Sequence, residues 1–171
     1  QEDLLPRLPD LVFVEISVND HSTPHFCETY EGLVRQIYGS ASAPAMVLIH
    51  NVYYDTGKSA AYYHAQIGRH YDLPCISMQN SIYPAVAAGK LPAEKITADF
   101  LHPNNLGHEF MASVITNFLE KVIHDKTQEP QEIFPAPLTE NAYEHCVRLQ
   151  YFNSTPEKSG FEEDMTPQRD I

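Results

Sequence analysis

Cysteine is scarce, positive charge is thin, and no apolar run is long in this chain of 171 residues. The three cysteines, Cys27, Cys75 and Cys146, are odd in number and form no CxxC pair, which excludes a zinc knuckle and a disulfide framework. Cys75 sits in an apolar stretch and reads as a small buried hydrophobe. The lack of a disulfide pattern favours a cytoplasmic location. Lys and Arg number 11 against 23 Asp and Glu, for a formal charge of −12. A nucleic-acid partner is excluded, because phosphate binding needs a basic face. No apolar stretch reaches the ~18 residues of a membrane helix, and no signal peptide is visible. "NVYYDTGKSA" (51–60) lacks the two-glycine frame of a phosphate loop.

What is present suits a packed domain. Hydrophobic residues make up 43% and charged residues 20%, enough for a core. The length predicts one domain with room for a small second piece. "PDLVFVEISVND" (9–20) opens with an apolar run, Leu11 to Ile16, that reads as a strand buried on both faces. Residues 23–39 read as a helix, with Phe26, Tyr30, Leu33, Val34 and Ile37 at spacings of three and four and Gly39 as its stop. A strand over 43–52, a helix over 59–73, a strand over 74–78 and a long helix over 105–126 follow. That alternation predicts an α/β fold with a parallel sheet. Ligands then sit beyond the carboxyl ends of the strands, where loops begin at Ser17, at His50 and near Gln79. After Lys126 the character changes. Residues 127–171 read as a linker and the start of a second, β-rich element, with a candidate strand over 142–153. Residues 128–171 carry nine acids against three Lys and Arg, half of the net charge.

The chemistry-bearing stretch is "DFLHPNNLGH" (99–108). A catalytic histidine needs a carboxylate to fix its tautomer and to stabilise the imidazolium. Asp99, three residues before His102 on a turn closed by Pro103, can reach back to that ring. Asn104 or Asn105 can cap the helix that follows. Spacing alone leaves a second reading open, a polar loop whose Asp and Asn satisfy backbone donors. Asn19 follows the first strand, where its amide can donate to a developing oxyanion or simply open a turn.

Together, "VFVEISVND" and "DFLHPNNLGH" resemble two blocks of the SGNH hydrolases, the GDSL-like esterases and lipases. The first resembles their GxND block and the second their DxxHP block, in the same order, and the resemblance covers about residues 9–124. It implies a flavodoxin-like three-layer α/β/α sandwich with a parallel sheet, here truncated at the N-terminus. It also implies an oxyanion-hole role for Asn19, an orienting role for Asp99 and a base role for His102 in a Ser-His-Asp triad. Ser17 stands where the family has Gly. The family's GDS block, which bears the nucleophile, has no counterpart here, and Ser22, Ser77 and Ser81 lack its context. The resemblance thus implies an ester hydrolase whose 1–126 domain is the second half of the fold. An upstream segment or a partner chain would supply the serine against the sheet. No cofactor or metal is required. Small-molecule or carbohydrate esters are the implied substrates, with acetylated sugars favoured because family members acting on them often carry an extra β-rich domain. A non-catalytic binding module and a degenerate relative remain alternatives. A metal-dependent hydrolase using His50, His64, His70 and Asp55 is a more distant one. His108 reads as structural, and Tyr53, Tyr54, Tyr62 and Tyr63 as cleft or core-margin residues.

Overall fold

Three strands, β1 (Leu11–Glu15), β2 (Ala45–His50) and β3 (Cys75–Ser77), form one parallel sheet in the order β1-β2-β3. This computed structural model describes residues 3–125 and 135–149, together with 154, 155, 157, 159, 160 and 162. The register pairs Val12 with Met46, Val14 with Leu48, and Ile49 with Ile76. Side chains alternate along a strand, so this register sorts the apolar residues into two faces. Val12, Val14, Met46 and Leu48 face one layer, and Val47, Ile49 and Ile76 face the other.

Helices cover both faces. The helix α1 (Pro24–Tyr38) starts where the Thr23 hydroxyl accepts from the Phe26 N–H and Pro24 supplies a preset φ, and it ends at Gly39. With α2 (Ala61–His70) it covers the first face through Tyr30, Val34, Ile37, Ile67 and Tyr71. The second face is covered by α5 (Asn105–His124), through Met111, Val114, Ile115 and Phe118. Two short helices, α3 (Met78–Ser81) and α4 (Tyr83–Ala87), complete that layer after β3. The result is an α/β/α sandwich with a parallel sheet.

Three details depart from expectation. Only one face of β1 is closed: Val12 and Val14 are buried, but Leu11 and Phe13 are 42% and 39% exposed. The cause is placement, since α5 packs over Val47, Ile49 and Ile76 and leaves Phe13, the ladder neighbour of Val47, uncovered. Cys75 is exposed rather than buried, because it lies on the edge strand β3. The stretch after β3 folds into α3 and α4, each too short to show a helical period.

Residues 135–149 lie across α1 and hold to it by polar contacts. The Glu31 carboxylate is fully buried and accepts from the Tyr71 hydroxyl, the N–H groups of Leu138 (2.6 Å) and Thr139 (2.8 Å), and the Thr139 hydroxyl. Arg35 pairs with Glu144 at 2.7 Å and donates to the Pro135 carbonyl and the Tyr71 hydroxyl. The approach is close enough to require Gly32, where a Cβ would come within 2.8 Å of the Tyr143 backbone. Residues 142–145 form a turn and no strand forms through 149, while 150–153 lie outside the described residues. Burial alone would raise the Glu31 pKa, but the hydrogen bonds from Thr139, Tyr71 and Leu138 outweigh it and lower it. The ionised carboxylate therefore holds the strap above the ordinary carboxylate range, and the strap weakens as pH falls through the lowered value. Glu31→Ala is expected to cost roughly 3–5 kcal/mol in urea unfolding, because it leaves buried donors unpaired. A cost under about 1 kcal/mol would mean that the strap contributes nothing to the domain.

Candidate active site

The turn that carries Asp99 and His102 is built by the aspartate itself. Asp99 Oδ1 accepts from the N–H groups of Leu101 (3.0 Å) and His102 (2.7 Å) and from the Thr97 hydroxyl (3.2 Å). That leaves Oδ2 for the ring, 2.6 Å from His102 Nδ1. Phe100 takes a positive φ of 63° at the tip of this turn. Asn104 then caps α5 by accepting from the Gly107 N–H, and its own amide donates to the Lys95 carbonyl. Gly107 is needed here, since a Cβ would stand 2.2 Å from the Ile96 carbonyl oxygen. The Asp99 carboxyl is held well below the usual carboxylate range, first by the His102 ring, then by the His102 and Leu101 N–H groups. An ionised acid on Nδ1 fixes the proton there and presents the Nε2 lone pair outward. The His102 side chain is 78% exposed, and among the described residues nothing hydrogen-bonds to Nε2.

Asn19 lies in the loop after β1. That loop is tightly held: the N–H groups of Asn19 and Asp20 both donate to the Ile16 carbonyl. The fully buried Ser17 hydroxyl lies 2.8 Å from Glu15 Oε1 and accepts from the Asn51 N–H at 2.7 Å. Ser17 therefore bridges the carboxyl ends of β1 and β2 and is not free to act as a nucleophile. Asn19 itself is exposed, and its side-chain amide has no hydrogen-bond partner among the described residues. Two consecutive tyrosines connect this loop to the histidine turn. The Tyr53 hydroxyl donates to the Val18 carbonyl (3.3 Å), and the Tyr54 N–H donates to the Phe100 carbonyl (2.8 Å). Both loops thus hang from the segment that follows β2, at the end of the sheet where ligands sit in open α/β folds.

Of the other candidate serines, Ser22 is exposed in the loop after β1, and two are engaged elsewhere. Ser77 caps α3, and the Ser81 hydroxyl donates to the Ser77 carbonyl. Among the described residues no serine hydroxyl bonds to His102. The histidines named for a metal do not converge. His50 and His64 are ring neighbours at 6.0 Å, but His70 Nε2 donates to the Ala136 carbonyl, and no group of three possible ligands exists among the described residues.

No family model matches the chain, and no curated protein matches it. Among solved structures, it is similar to a two-domain esterase (CEX) active on acetylated mannans, at 53% identity and a TM-score of 0.82. The match covers 84% of this chain and 39% of that one. A second structure of that description, co-crystallised with mannopentaose, matches at 54% identity and a TM-score of 0.79, covering 84% and 38%. This chain is a relative of these esterases. It spans about two fifths of their length.

This esterase relative also carries a buried group that sequence reasoning did not assemble. His64 is fully buried on α2, stacks on Tyr30 at 3.7 Å, and places Nε2 2.9 Å from Asp20 Oδ2. Asp20 is the residue after Asn19, so α2 clasps the loop from behind. The partners are 44 residues apart in the chain, and no short-range spacing could have paired them. His50 is 2% exposed, and its Nε2 has no partner among the described residues. Burial, with His64 beside it, lowers His50 to about 4, and burial lowers His64 to about 4. Between those values and the ordinary 6.5, the unfolded chain binds protons that the folded chain refuses. Stability should be insensitive to these groups above about pH 7 and fall as pH drops toward 4, by up to about 3 kcal/mol per histidine. Urea midpoints measured from pH 8 to pH 4 check this, and a midpoint that stays flat across the window would contradict it.

Proposed function

We propose that the full-length protein is an SGNH-type serine ester hydrolase that deacetylates carbohydrate, acetylated mannan being the first substrate to test. The observation that carries this reading is the 2.6 Å contact between Asp99 and His102, on a turn in which the N–H groups of Leu101 and His102 donate to the same carboxylate. The serine attacks the ester carbonyl and passes its proton to His102 Nε2. Asn19 donates to the oxyanion of the tetrahedral intermediate. The intermediate collapses, the C–O bond to the sugar breaks, and His102 returns the proton to the leaving hydroxyl. Water repeats the sequence on the acyl-serine, which releases acetate and restores the free enzyme.

The serine comes from a segment outside residues 1–171. Support for this placement is the engagement of Ser17, Ser77 and Ser81, together with the edge of β1 opposite β2, which pairs with no described strand. The test is treatment of the full-length protein with a fluorophosphonate, with acetate release from acetylated mannan as the activity readout. The expected result is inactivation with one labelled serine outside this chain. A label on Ser22, Ser77 or Ser81, or full activity after treatment, would overturn the assignment.

A further inference from the structure

A cleft of about 640 Å³ opens directly beside the Asn19 loop. One wall is the chain after β1, with Asp20, His21 and Ser22, and the other is the chain after β2 and the start of α2, with Tyr53, Asp55, Lys58 and Tyr62. The structure assigns this cleft as a saccharide subsite, which holds the sugar units next to the ester and rests on the hydrolase reading above.

Three observations carry the assignment. The first is composition. The apolar surface of the lining comes from the tyrosine rings, Gly57, Ala61 and the carbon atoms of polar side chains. The other lining residues bring carboxylates, hydroxyls, an amide, the His21 imidazole and an ammonium, and no Leu, Ile, Val, Met or Phe forms a tube for a long acyl chain. Sugar rings present what such a lining matches, hydroxyl groups at the rim and C–H faces that lie on aromatic rings. The two carboxylates, Asp20 and Asp55, against one ammonium, Lys58, disfavour an anionic ligand.

The second is preorganisation. The Gly57 N–H donates to the Tyr53 carbonyl (2.7 Å), the Tyr53 N–H to the Lys58 carbonyl (3.0 Å), and the Gln79 amide to the Gly57 carbonyl (2.8 Å). Residues 53–58 therefore form a braced wall, and little ordering is left to be done on binding. Tyr62 is 67% exposed on that side, its ring edge-to-face with Tyr63 at 5.1 Å. A large aromatic surface left in water beside a braced polar wall is what a stacking ligand covers.

The third is continuity. Asp20 follows Asn19, and the Tyr53 hydroxyl is bonded to the Val18 carbonyl. A chain whose ester lies at Asn19 runs straight into the cleft, and His64 holds Asp20 Oδ2 while Oδ1 stays free of bonds among the described residues.

The test compares the full-length protein with its Tyr62→Ala variant on acetylated manno-oligosaccharide and on 4-nitrophenyl acetate, which has no sugar. The expected result is a loss of kcat/KM on the oligosaccharide about tenfold larger than on the nitrophenyl ester, expressed in KM, with Tyr62→Phe close to wild type. Equal losses on both esters, or no loss on the oligosaccharide, would overturn the subsite. Calorimetric titration with deacetylated manno-oligosaccharide is a separate arm. Binding that weakens about tenfold in Tyr62→Ala supports the cleft, and absent or unchanged binding overturns it. Wild-type protein that is inert toward both esters yet binds the oligosaccharide through Tyr62 would defeat the hydrolase reading and leave the cleft standing.

Discussion

In the full-length protein, His102→Ala is expected to lower ester turnover by on the order of 10⁴ to 10⁶, because the serine loses the base that takes its proton. The variant should fold normally. The His102 side chain is 78% exposed, and the turn is held by the Asp99 contacts to backbone N–H groups and to Thr97, none of which needs the imidazole. Loss of rate with an unchanged urea midpoint is therefore the expected pair of results. A soluble, folded variant that retains its rate would remove His102 from the mechanism. It would also leave the outward-facing Nε2 without a purpose, since among the described residues no other group bonds to it.

The layers of this fold were legible because buried strands and amphipathic helices carry opposite periodicities. The runs at 11–16 and 43–52 and, on the last helix, Val114 and Phe118 landed in their expected layers, while Leu106 and Phe110 of the same stripe are exposed at the start of that helix. The same logic overreached at β1. An apolar run reports that a strand belongs inside a sheet, not which described elements cover it, and Phe13 is left exposed. The Asp99–His102 contact was legible because three residues on a turn is a local distance. The Asp20–His64 clasp and the Glu31 hub were not, since they join residues 44 and more than 100 positions apart through the packing of α1 and α2. A buried carboxylate such as Glu31 looks, in sequence, like any solvated helix acid. Residues 135–140 read as a linker, and 142–149 as part of a strand, for the same reason. The prolines of the first stretch signal the absence of regular structure, yet Glu31 and Arg35 pin both stretches to α1.

Asp99→Asn should separate the two tasks of that carboxylate. Oδ1 builds the turn through three donors, and Oδ2 serves only the ring. An asparagine keeps the first oxygen and replaces the second with an amide NH₂. The turn can therefore persist, while the group facing Nδ1 becomes a donor. Nδ1 must then accept, which moves the ring proton to Nε2, and the lone pair that should take the serine proton is gone. The expected loss is on the order of 10⁴ in kcat, with KM little changed, because the change falls on proton transfer and not on binding. Asp99 in the wild type is held below the usual carboxylate range by the His102 ring and the two N–H groups, so it stays ionised throughout the pH range in which the enzyme would be assayed. Its own protonation can weaken the turn only at more acid pH, so any acid limb of the rate in that range reports another group. The measurement is a pH–rate profile of both proteins with urea midpoints alongside. A near-normal rate in Asp99→Asn would show that Asp99 only shapes the turn. A deep loss of rate at an unchanged midpoint would show that the exposed pair is there to hold one tautomer.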